Sequence, residues 1–108
     1  MTNFELYTII FLALDADWDD THDEALGAFL SDANPFLFDG EVSAVRKVYD
    51  NFCEFIGDRK IDFENSFSIA NEYIKNLDND AVTESFELLE KEQWDDAVRE
   101  YLNSEHKA

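Results

Sequence analysis

The sequence predicts an all-α protein, a compact single-domain bundle of five to six short helices over residues 1–108. Three observations predict it. Apolar residues make up 45% of the chain and aromatic residues 15%, a core-forming mixture. Three glycines and one proline leave too little turn chemistry for a β-sandwich or barrel. From Val45 onward, apolar positions recur at intervals of three and four, the period of an amphipathic helix. A chain of 108 residues has the length of one domain and can bury roughly two-thirds of its unfolded surface.

Thr2 and Glu5 have the spacing of a capping box, so a first helix starts there and its apolar run continues to Leu14. Leu6, Tyr7, Ile9, Ile10, Phe11, Leu12, Ala13 and Leu14 cover every side of that helix, which makes it central. The same β-branched and aromatic content also suits a buried strand, although no later segment alternates at period two to pair with it. Thr21 and Glu24 repeat the capping-box spacing and open a second helix, with Ala25, Leu26, Phe29 and Leu30 inward and Asn34-Pro35 as its stop. Phe36, Leu37 and Phe38 then form an apolar knot turned by Asp39-Gly40. Its expected place is plugged into the core. Exposed, Phe36 or Phe38 would instead be an apolar spot rimmed by Asp32, Asp39 and Glu41, the anatomy of an interface.

Ser43 suits the N-cap of a third helix, in which Val45, Val48, Tyr49, Phe52, Phe55 and Ile56 line one side up to a left-handed Gly57. Asp62 caps a fourth helix, with Phe63, Phe67, Ala70, Ile74 and Leu77 on one face. Asp78-Asn79-Asp80 turns the chain and caps a fifth helix marked by Val82, Phe86 and Leu89. A sixth, marked by Trp94, Ala97, Val98, Tyr101 and Leu102, leads into a frayed tail from Asn103 to Ala108.

Charge is the outlier of the composition. Asp and Glu number 26 against 8 Lys and Arg, a formal net charge of −18, which sets the chain against direct binding to nucleic acid or an anionic membrane. The distribution is uneven. Residues 1–41 hold ten acids and no base, residues 42–77 hold six acids and five bases, and residues 78–108 hold ten acids and three bases. Solubility alone asks for a net charge of about 2 to 8 on a small domain, so two acidic blocks flanking a balanced one need another reason. The densest stretch, Asp15 to Glu24, has six acids in ten residues. Asp23 and Glu24 suit the positive end of the second helix, but Asp15, Asp17, Asp19 and Asp20 gain nothing from it. One reading is a solvated acidic loop. The other is a docking surface for a basic protein, with Asp15, Asp17, Asp19, Asp20, Asp23, Glu24, Asp39, Asp95 and Asp96 as its acids and Trp18 as its anchor.

Catalytic and metal chemistry finds little support. Asp15, Asp17 and Asp19 imitate the first ligands of a calcium loop, but position 6 is Asp20 where glycine is needed and position 12 is Leu26 where a bidentate glutamate is needed. His22 and His106 are the only histidines, and Cys53, the only cysteine, follows Phe52 toward the expected core. No Gly-rich phosphate loop, nucleophile elbow or zinc-protease helix occurs. No enzymatic activity, metal or cofactor is expected. A lone cysteine forms no intrachain disulfide, and no apolar run approaches the roughly 20 residues of a membrane span, so the expected location is the cytoplasm.

In its length, its lone cysteine and the acidic blocks Asp15-Ala16-Asp17-Trp18-Asp19-Asp20 and Trp94-Asp95-Asp96, the chain resembles bacterial immunity proteins of contact-dependent growth inhibition. The resemblance is to the class, whose members share no common motif. It implies a cognate toxin, in the first instance a nuclease, whose basic substrate cleft the acidic domain would cover. An adaptor binding another basic protein is the alternative, and a divalent-ion-responsive helical protein a third. On either docking reading, replacing Asp17 and Asp19 by lysine should weaken the partner and relieve repulsion within the fold.

Overall fold

A computed structural model describes residues 1–36 and 42–103, in which six helices pack into one all-α domain. They are α1 (Asn3–Thr21), α2 (Glu24–Ala33), α3 (Arg46–Ile56), α4 (Phe63–Asn76), α5 (Asp80–Glu87) and α6 (Lys91–Asn103). The expected Asp39-Gly40 turn, the places of Leu37 and Phe38, and the tail beyond Asn103 lie outside the described residues.

The first apolar run is helix, and the strand alternative falls. The Thr2 capping box forms as its spacing predicts, with Glu5 N donating to Thr2 Oγ1 at 3.1 Å and Thr2 N to Glu5 Oε1 at 2.8 Å. Leu6, Tyr7, Thr8, Ile9, Ile10, Phe11 and Leu14 are all buried. Burial on every side from Leu6 to Phe11 requires neighbours on every side, and α1 packs against each of the other five helices, although Leu12, expected inside, is 40% exposed. Each large apolar side chain withdrawn from water in this way contributes about 1.5–3 kcal/mol.

Unlike the expected loop, the Asp15–Asp20 stretch is helix. α1 continues seven residues beyond Leu14, to Thr21, and ends at His22, whose φ of 52° turns the chain and whose N–H reaches the Trp18 carbonyl at 2.7 Å. Two tertiary contacts hold this extension. Ser85 Oγ donates to Asp17 Oδ2 at 2.7 Å across to α5, and the Trp18 indole lies on Gly27 of α2.

Two caps and the burial of Ala25 and Cys53 differ in detail from the sequence expectation, Ala25 being exposed in the first turn of α2. Thr21 does not cap α2; Asp23 does, accepting from Leu26 N at 2.9 Å, while Thr21 Oγ1 accepts from Asp23 N. Val45 occupies the N-cap position of α3, and the buried Ser43 reaches in from two residues upstream to accept from Tyr49 N at 3.0 Å while its hydroxyl bonds the Val45 carbonyl. Cys53 is half-buried, because it sits about 100° round the helix from Phe52 and flanks the inward stripe of Tyr49, Phe52 and Ile56. Gly57, Asp62 and Asn79 take their predicted roles. Gly57 ends α3 at a φ of 59°, Asp62 and Asn65 form a reciprocal box on α4, and Asn79 accepts from Val82 N on α5.

Two aromatic groups fill the interior. Tyr7, Tyr49, Phe52 and Tyr73 meet edge to face beneath α1, and Phe67, Phe86 and Trp94 join α4, α5 and α6. Trp94 is fully buried, and its indole N–H donates to Ser66 Oγ at 3.0 Å. The Tyr7 hydroxyl donates to the Ala33 carbonyl at 2.6 Å, and burial, with Tyr73 nearby, holds its phenol well above the ordinary value. Tyr73 is buried without a hydrogen-bond partner for its hydroxyl, and desolvation pushes its pKa up to about 12.

Candidate functional site

The helical extension of α1 changes what its acids can do. Side chains two apart on a helix diverge by about 200°, so Asp15, Asp17 and Asp19 do not converge as calcium-loop ligands would. Among the described residues no group of three or more His, Cys, Asp or Glu side chains is placed to hold a metal ion. Instead the carboxylates are dealt to three sides. Asp15 faces α2, Asp17 and Asp20 face α5 and the start of α6, and Asp19 is exposed between them.

The α5-facing side is a groove. Ala16, Asp17, Asp20, Ser85, Leu88 and Gln93 line a hollow of about 200 Å³. An adjoining one of about 150 Å³ shares Asp17, Ser85 and Leu88 and adds Asp23 and Glu84. Further along the same flank of α1, Leu12, Ala97, Glu100 and Tyr101 border a third. Leu88, 71% exposed, stands in the middle with acids around it. No lysine or arginine lines any of the three hollows. A solvent-facing leucine inside a carboxylate rim has the composition of an interface centre and its polar margin.

The predicted site residues therefore divide. Asp15, Asp17, Trp18, Asp19, Asp20, Asp23 and Glu24 share one end of the molecule, and the structure adds Glu84 and Leu88 from α5. Asp17 and Asp23 are tied as well as charged, Asp17 by Ser85 and Asp23 by the α2 amide. A lysine at position 17 would lose that anchor, so the expected relief of repulsion does not extend to it. Asp95 and Asp96 belong elsewhere. Lys91 meets Asp95 at 2.9 Å and Arg99 meets Asp96 at 3.4 Å, so each faces a base on α6 itself. Asp39 lies outside the described residues. Leu88 lies off the 82, 86, 89 stripe, and an apolar residue placed there beside Glu84 and Glu87 is the signal the sequence carries for it.

On the other flank, Phe11, Asp15, Trp18, Gly27, Leu30 and Asn34 line a cleft of about 180 Å³ between α1 and α2. Phe36 does not plug the core as expected. It is 60% exposed and meets the Phe11 ring edge-on at 5.8 Å. Pro35 takes the buried position instead, and Phe36 N is held by the Asn34 side chain at 2.8 Å, which fixes the chain as it leaves α2. The indole of Trp18 is half-buried, 4.8 Å from the His22 ring, and a Cβ on residue 27 would come within 2.7 Å of its Nε1.

Among the described residues no helix is long and apolar enough to cross a membrane. Comparison with protein-family models, curated proteins and solved structures finds no match to this chain.

Proposed function

We propose that this chain is a non-catalytic acidic binding protein that neutralises a basic partner, in the first instance a toxin nuclease whose substrate cleft it covers in the cytoplasm. The observation that carries this reading is the placement of the α1 acids. Asp19 and Asp20 sit in the last turn, where the helix dipole disfavours carboxylates by about 0.3–1 kcal/mol each, and no basic residue shares that turn. Helix stability opposes this arrangement, whereas attraction of a basic partner uses it. Exposed Leu88 supplies an apolar centre for the same surface, and carboxylates spaced along a groove can stand where phosphates would lie in a nuclease cleft.

The test is binding of the captured basic protein to purified chain over a salt series. Association should be fast at low salt and fall steeply as salt rises, and Asp19→Lys with Asp20→Lys should slow it. A partner that binds equally well at high salt and to the double variant overturns the reading. An adaptor would use the same surface on another basic protein, and a toxin reading frame beside the gene separates the two.

A further inference from the structure

The acidic groove explains attraction but not the cleft on the opposite flank of α1, where one carboxylate sits among aromatic rings. Asp15 is half-buried there and makes no hydrogen bond or ion pair to any described residue. A carboxylate partly withdrawn from water favours a cationic partner, and no lysine or arginine lines this cleft among the described residues. Beside Asp15 stand the Trp18 indole and the Phe11 ring, with exposed Phe36 edge-on to Phe11. Gly27 is what lets the indole settle against α2. Any larger residue would collide with it, and a glycine inside a helix costs stability that alanine would not.

We propose that this α1–α2 cleft receives one arginine side chain of the partner protein, its guanidinium held by the Asp15 carboxylate and stacked on the Trp18 indole. The occupant follows from charge and shape. At about 180 Å³ the cleft is smaller than the roughly 300–1,000 Å³ of ligand pockets and suits one long side chain. A planar guanidinium can both pair with a carboxylate and lie on an aromatic face, which a lysine ammonium matches only in charge. This inference rests on the reading of the chain as a binder of a basic protein, and it names the residue that would enter first on the α2 side.

The test uses the isotopically labelled full chain and Nα-acetyl-arginine methylamide, followed by NMR at the two indole N–H signals. The expected result is a saturable shift at Trp18, with Trp94, fully buried and bonded to Ser66, unmoved as the internal reference. The norleucine analogue should give no shift and the lysine analogue a smaller one. Asp15→Asn should abolish the arginine shift, while Asp19→Asn, which removes the same charge one turn along α1, should keep it. Equal losses in Asp15→Asn and Asp19→Asn would overturn the proposal, because they would mean diffuse attraction. Gly27→Ala, which alters no charge, should also abolish the shift; should that variant lose its dispersed spectrum, the two aspartate variants decide alone.

The two readings fail separately. A basic partner that binds Asp15→Asn as tightly as wild type but loses the Asp19→Lys, Asp20→Lys variant would overturn the arginine cleft and leave the acidic face standing. A cleft-specific arginine shift, with a cognate partner that ignores the groove acids, would do the reverse.

Discussion

On the α3–α4 side of the molecule two arginines each hold both a ring and an acid. Arg59 lies 4.7 Å over the Phe55 ring and reaches Glu72 at 3.2 Å, and Arg99 lies 5.1 Å over Phe63 while meeting Asp96. On the α1–α5 side the carboxylates of Asp15, Asp19 and Asp20 meet no base, and Asp17 is held by a neutral hydroxyl. One chain thus handles its charge in two ways. Where these arginines stand they stay local, each over an aromatic ring and beside a neighbouring acid. Where they are absent, the acids concentrate on one end, and the two helix ends there differ again. Asp23 and Glu24 stabilise the start of α2, whereas Asp19 and Asp20 oppose the end of α1. The net charge of −18 is therefore better understood as a regional feature than as a general coat.

The comparison can be broken most violently at the joint between the regions. Trp94→Ala should cost about 3–5 kcal/mol, since it empties a fully buried site between Phe67 and Phe86. Urea unfolding would register it. Ser85→Ala should cost about 1.5–3 kcal/mol, the worth of a hydrogen bond to a charged acceptor, and should loosen α5 from α1. In the opposite direction, Asp19→Lys with Asp20→Lys should raise stability by about 1 kcal/mol, by removing like charges and placing cations at the negative helix end. A melting temperature that falls instead would show that those acids support the fold.

The alkaline limb sharpens the comparison from the core. Tyr73 has a folded pKa of about 12, above its unfolded value of about 10, so the protonated phenol is favoured by folding. Stability should be intact below pH about 10 and decline between about 10 and 12, as the unfolded chain ionises first. Thermal melts across that range should show the decline, and Tyr73→Phe should lessen it, Tyr7, whose phenol burial also holds above the ordinary value, supplying the rest. Smallest of all, Arg59→Ala should change stability by about 0–1 kcal/mol, because its ion pair with Glu72 is largely exposed and screened by water.

What the sequence conveyed well was whatever depends on neighbours in the chain. The Thr2 box, the Asp62 and Asn79 caps and the Gly57 stop are local, and each appears where spacing puts it; the stripes of α3 and α4 hold at Tyr49, Phe52, Ile56, Ala70 and Ile74, while Val45 is exposed and the buried face of α4 turns toward Ile69 and Tyr73. The length of α1 was not legible, because Asp15–Asp20 has the composition of a loop and is helical through contacts with Gly27 and Ser85, distant in sequence. The site was half legible for the same reason. Its density of acids was visible, but the division of Asp15 from Asp17 across two flanks needed the helix, and Glu84 and Leu88 needed the tertiary fold. Asp95 and Asp96 misled by counting as free charges when each has a partner within one turn.

The contact of α1 with all five other helices has a consequence for exchange with solvent. Amide protons in the buried part of a helix so placed can be released only when the whole domain opens, so Leu6 to Leu14 should exchange with deuterium at the global unfolding rate. The acidic end is the same helix carried outward. A partner clasping it would therefore slow deuterium uptake at every amide that exchanges only through global opening, by the full factor its concentration and affinity allow, rather than shielding a single patch.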